Sequence, residues 1–132
     1  MKLSIFCFLF VVSFQTASAR ELAFTFDDPN VDEYPLFTPT ERNERILKAL
    51  EHEGGLKAAL FVSGKRIDSE GGKALLKTWS DEGHSIALHS YSHSYFPSKK
   101  ITLEMFEADF LKVEPLVSSL SGFVKWFRFP FL

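Results

Sequence analysis

Leu22-Ala23-Phe24-Thr25-Phe26-Asp27-Asp28 is the stretch on which the reading turns. An apolar run of this length between polar flanks reads as a buried strand. It ends in two adjacent carboxylates, Asp27 and Asp28. An acid at the end of a buried strand must be solvated, paired or bound to a cation, because an unpaired buried charge costs several kcal/mol. Neighbouring residues on a strand point to opposite faces, so the two acids can hold different jobs, one on a cation and one as a base.

The rest of the chain alternates helix and strand. Pro29 to Pro35 is rich in proline, asparagine and acids and reads as a loop. Thr38 as N-cap, Pro39 at the first helical position and Glu41 closing a capping box predict a helix to about Glu53, with Ile46, Leu47 and Leu50 on one face. Gly54-Gly55 stops it. Residues 57–62 read as a second strand and Ser63 to Arg66 as a turn. Ser69 caps a helix predicted over 70–82, with Leu75, Leu76 and Trp79 inward. Residues 84–88 are a third strand, and 89–100 a polar, aromatic loop. Thr102 opens a third helix. Its stripe of Phe106, Phe110, Val113, Val117 and Leu120 recurs at helical spacing up to Gly122, with a kink or early stop at Pro115. Residues 124–129 are the fourth strand.

Strands separated by helical crossovers lie parallel, so the class is α/β. Four such strands fit either an open doubly wound sheet or part of a barrel, and in both the function sits at the carboxyl ends of the strands. Those ends carry Asp27 and Asp28, then Ser63-Gly64, then His89 with His93, then Arg128 with Pro130. His89 and His93 are four apart, a spacing that puts both rings on one side of a helical turn. Two imidazoles and one carboxylate make three ligands with a coordination position left open, the composition of a catalytic metal site. His84, at the base of its strand, reads as structural. His52, in the last turn of the first helix, suits the helix dipole.

The ends of the chain and its charge bound the class further. Met1-Lys2, the apolar run 3–14 and Ala17-Ser18-Ala19 form the pattern of a secretory signal peptide over residues 1–19. A run of twelve residues is too short to span a bilayer, which needs about 20, so no stable membrane insertion is expected after cleavage. The single cysteine, Cys7, leaves with that segment. Residues 20–132 are then one domain in a secreted or periplasmic protein, held by its core alone. Losing Lys2 leaves 14 basic against 17 acidic residues, from 15 and 17 in the whole chain. That mild acidity argues against nucleic acid as a partner.

Thr25-Phe26-Asp27-Asp28, His89-Ser90-Tyr91-Ser92-His93 after Gly83-His84, and Arg128-Phe129-Pro130-Phe131 resemble the first three motifs of the polysaccharide deacetylases, the NodB-homology, family 4 carbohydrate esterases. The resemblance implies a partial (β/α) barrel of the NodB-homology type. By position it implies Asp27 as general base, Asp28, His89 and His93 on a divalent metal, zinc most often, and Ser90 bracing the histidine loop. Arg128 would orient Asp27, and the backbone N–H of Phe131 would help form an oxyanion hole. The implied reaction is removal of acetyl groups from N-acetylated, or O-acetylated, polysaccharide by a metal-activated water. Phe131 stands where the family has tyrosine. No histidine follows His93, and the family's later motifs are not found, so the expectation is the N-terminal part of such a domain, truncated after the third motif. The rival is a non-catalytic, carbohydrate- or metal-binding pseudoenzyme, in which Tyr91, Tyr95 and Phe96 would meet sugar rings. No Gly-x-Ser-x-Gly elbow or phosphate loop is present.

Overall fold

The computed structural model describes residues 21–131; the signal-peptide reading falls outside them. The elements run β1 (Phe24–Asp27), α1 (Pro39–His52), β2 (Ala58–Val62), α2 (Gly64–Ile67), α3 (Glu70–Asp81), β3 (Ser85–Leu88), α4 (Leu103–Leu111), α5 (Glu114–Val117) and β4 (Phe123–Phe127). All strand pairs are parallel, and the sheet order is the chain order, β1-β2-β3-β4. Right-handed crossovers between strands laid down in order place every helix on the same face. A doubly wound sheet would need the order to reverse.

The core records this one-sidedness. Ala58, Leu60 and Val62 of β2 and Ile86 and Leu88 of β3 point to the helices, where they pack with Leu47 and Leu50 of α1, Leu76 and Trp79 of α3, and Val113 and Val117. The alternate residues Ala59, Phe61 and Ala87 face the other way and meet only Val124 among partly buried neighbours. A small inner cluster on the concave side and a larger one under the helices suit the two faces of a barrel wall. The fold is α/β, four staves of a barrel.

The caps form as the sequence predicts. The Thr38 hydroxyl accepts from the Glu41 N–H at 3.2 Å, while the Thr38 N–H donates to Glu41 Oε2 at 2.9 Å. Ser69 and Thr102 accept from Gly72 and Met105. Other expectations are corrected. β1 is not buried: it is an edge strand with its concave side uncovered, and Phe26 alone is partly covered, its ring edge-on to Trp79 at 5.6 Å. Ser63 to Arg66 is not a plain turn, because α2 starts at Gly64. The third helix breaks into α4 and α5, since Pro115 has no N–H to continue the ladder. β4 is shifted to 123–127 and is irregular: Ile86 pairs with Phe123, yet Leu88 pairs with Phe127. Two steps on β3 face four on β4, a bulge that leaves Trp126 exposed.

Candidate metal centre and its rim

The carboxyl ends of β1, β3 and β4 bring the predicted residues together. Asp28 lies one residue beyond β1, with φ of 53°, so a left-handed turn and not strand alternation separates it from Asp27. Its N–H still donates to the Phe61 carbonyl at 3.0 Å, which fixes the turn. The Ser63 hydroxyl donates to Asp28 Oδ1. That leaves Oδ2 for the two histidines: His93 Nε2 lies 2.9 Å from it and His89 Nε2 4.0 Å. One atom from each of the three residues falls within 4.8 Å of the others.

The donor set fits a divalent cation. Ligand atoms about 2.0–2.2 Å from a tetrahedral ion sit roughly 3.3–3.6 Å from one another, and the two distances to Oδ2 bracket that range. His89 Nδ1 lies 2.8 Å from the Arg128 carbonyl oxygen. A carbonyl only accepts, so Nδ1 carries the hydrogen and Nε2 offers its lone pair to the site. The His89 ring is buried, which fixes its direction.

His89 and His93 lie in the predicted loop, and their four-residue spacing is not realised as a helical turn. They flank an irregular loop in which Ser90 (φ 67°) and His93 (φ 55°) are left-handed, and this backbone turns both rings inward, 5.1 Å apart. The Ser90 hydroxyl accepts from the His93 N–H at 3.1 Å. The loop carbonyls of Ser90 and Tyr91 accept from the N–H groups of Gly64 (3.0 Å) and Lys65 (2.8 Å). They cap α2 in place of Ser63, whose hydroxyl is on Asp28. Gly64 is required there, because a Cβ would sit 2.3 Å from the Tyr91 ring.

Asp27 and Arg128 belong to opposite edges of the sheet. In a flat sheet those strands would be three spacings apart, about 14 Å. Arg128 Nη1 nevertheless donates to Asp27 Oδ1 at 2.6 Å, and its guanidinium lies 4.0 Å from the centre of the Phe61 ring in between. The contact is possible because the sheet curls. Nη2 reaches Thr25 Oγ1 at 3.2 Å, giving the guanidinium two anchors. Phe131 has φ of 64° and a ring 63 % exposed, edge-on to His93 at 4.7 Å. Asp28, Ser90, His93 and Phe131 are the only left-handed non-glycine residues among those described, and all four line this rim. Strain of this kind gathers at functional sites.

The three aromatics named from the sequence divide. Tyr95 is 54 % exposed and edge-on to Phe131. Phe96 packs on Phe106 and Phe129. The Tyr91 hydroxyl donates to Asp68 at 3.1 Å, which pushes its pKa up. An open recess of about 470 Å³ beside His93 is lined by Asn30, Ser63, Arg66 and Ser92. His84 lies at the far end of β3, with Nδ1 accepting the Ala58 N–H at 3.1 Å. Sequence reasoning missed Ser63 as a partner of Asp28, and Asp109, which reaches the histidine loop from α4. The available signal for Asp109 was an acid three residues after Phe106, on the border of the apolar stripe.

A family model described as polysaccharide deacetylase matches residues 14–132. The chain is 31 % identical over 113 residues to a peptidoglycan-N-acetylglucosamine deacetylase from Bacillus cereus, covering 84 % of this chain and 36 % of that one. It thus spans about a third of that relative's length. The structure of the Bc1960 peptidoglycan N-acetylglucosamine deacetylase superposes with a TM-score of 0.59 at 28 % identity, over 76 % of this chain and 41 % of the other. A family 4 acetyl xylan esterase from Clostridium thermocellum, in complex with a cobalt ion, shares the fold, with a TM-score of 0.62 at 23 % identity over 82 % and 47 %. With the match running through every strand and every residue of the rim, this chain belongs to the polysaccharide deacetylase family of hydrolases.

Proposed function

We propose that the rim removes acetyl groups from an N-acetylated polysaccharide, with Asp28, His89 and His93 holding a divalent ion, zinc first among them. The observation that carries the reading is Asp27, aimed by Arg128 at 2.6 Å, standing next to the three-ligand cluster. A pure carbohydrate binder would use neither the oriented acid nor its guanidinium. A divalent ion at this position supplies Lewis acidity and makes a water acidic enough to give up a proton near neutral pH.

The chain's own groups do the rest. Asp27 Oδ2, the oxygen not engaged by Arg128 Nη1, takes the proton from the attacking water. Arg128, anchored on Thr25 Oγ1 as well, holds that carboxylate pointed. The Phe131 N–H, presented by its left-handed backbone, donates to the carbonyl oxygen as negative charge gathers there. The amine leaves with a proton, which Asp27 can return. The recess beside His93 and the exposed rings of Tyr95 and Phe131 give the sugar a place to lie. The residue 1–19 pattern supports a secreted or periplasmic setting, where such glycans are met.

The test is acetate release from N-acetylglucosamine oligomers and from peptidoglycan, with zinc present. The expected result is acetate from the wild type and far less from Asp27→Asn. Glycan binding with no acetate release would replace this reading by the non-catalytic one.

A further inference from the structure

We infer that Asp109 is a positioning residue for the metal centre: it holds the loop between the two histidine ligands and so sets their separation. The inference rests on the metal-binding part of the reading above, not on hydrolysis.

The loop from 89 to 93 has no regular hydrogen bonding of its own. Two of its five residues are left-handed, a conformation that non-glycine residues keep only where the surrounding structure imposes it. Something outside the loop must therefore hold it. On the carbonyl side this is α2, through the N–H groups of Gly64 and Lys65. On the N–H side it is Asp109. Its Oδ2 accepts from Tyr91 N at 3.0 Å and from Ser92 N at 3.1 Å, and its Oδ1 accepts from Ser92 N at 3.1 Å. Successive backbone N–H groups converging from a left-handed turn make a concave anion site. Here the chain supplies the anion itself. Bonds to an ionised acceptor are about twice as strong as neutral ones.

Asp109 is well placed to transmit rigidity. α4 is docked by Phe110, whose ring is edge-on to Phe127 at 5.0 Å, and by Phe106, edge-on to the same ring at 5.8 Å. β4 in turn leads to the Arg128 carbonyl that fixes the His89 ring. One ligand is thus oriented from β4, and the loop carrying the other is clamped by the helix packed on β4. The Asp109 carboxylate hydrogen-bonds to neither histidine, nor to Asp28, so it acts through the backbone.

The experiment is a metal titration of the purified full chain, stripped by chelator, against a chromophoric competitor, with the visible spectrum of the cobalt-loaded form as a second readout. Asp109→Ala is expected to weaken zinc binding about 10–100-fold, the range for lost outer-shell partners, and to alter the cobalt spectrum. Asp109→Asn keeps one acceptor oxygen and should fall in between. Glu107→Ala removes the same charge from an exposed position of the same helix and should bind as the wild type does. Wild-type affinity in Asp109→Ala, or an equal loss in Glu107→Ala, overturns the inference. If Asp109→Ala does not fold by circular dichroism, Asp109→Asn decides, and wild-type affinity there overturns it. A wild type that takes up no metal ends both readings. A wild type that binds metal but releases no acetate ends only the hydrolase reading, and the titration still decides the role of Asp109.

Discussion

Asp27 closes a strand and Asp28 opens a left-handed turn, and that single change of backbone sends adjacent carboxylates to different partners. Under the proposed roles, Asp27→Asn should lower acetate release by about 10²–10⁴-fold, the range for a lost general base, while leaving zinc affinity within a few-fold of wild type. Asp28→Ala should instead abolish zinc uptake in a titration. A variant pair in which the two effects are exchanged would reverse the assignment. His84 belongs to stability. Burial, then the Lys57 charge, holds its pKa below the ordinary histidine value of 6.5, and its Nδ1 must stay unprotonated to accept the Ala58 N–H. The unfolded chain therefore binds the proton first. Stability is full above about pH 6.5 and falls as pH drops through the folded value. Urea unfolding between pH 7.5 and 5 should show that slope, and His84→Gln should flatten it. The rim acids, both loop histidines and Arg128 are legible in the sequence because strand ends of an α/β fold are where function collects. The clamp from Asp109 is not, because an acid bordering a helix's apolar stripe does not say which backbone it will meet.

Each crossover helix announces its start through a cap, and each cap predicted from threonine or serine forms. Thr38→Ala should cost α1 about 1 kcal/mol, read as a lower urea midpoint with metal binding unchanged. Strand limits are harder to read. Nothing in the sequence separates a buried strand from an edge strand of equal hydrophobicity, which is why β1 is more exposed than expected, and a bulge shifts β4. The β4 start depends on Gly122. A Cβ there would lie 2.2 Å from the His84 carbonyl oxygen, and the Gly122 carbonyl accepts the Ile86 N–H at 2.8 Å. Gly122→Ala should therefore push β4 off β3. The expected outcome is a loss of thermal stability well beyond that of Thr38→Ala, together with weaker zinc binding, since the Arg128 carbonyl would move away from His89. A Gly122→Ala protein with wild-type melting and titration curves would contradict this account.

The candidate metal centre joins parts of the chain that share no helix or strand, so an ion bound there would tie the staves together at one end. Saturating zinc at about 100 times its dissociation constant should add about 2.7 kcal/mol, a rise in melting temperature on the order of 10 °C. A chelator should reverse it, and His93→Ala should show no shift. No helix among the described residues is long and apolar enough to cross a membrane. The sheet's order also has a meaning in time. Every strand docks on the one made just before it, so a chain emerging from the ribosome can lay down its wall without waiting for later segments. The Asp27–Arg128 pair is the exception, because 101 residues separate its members. A nascent chain can thus gather a hydrophobic interior early, while the acid of the proposed reaction is aimed only after the fourth strand has joined the sheet.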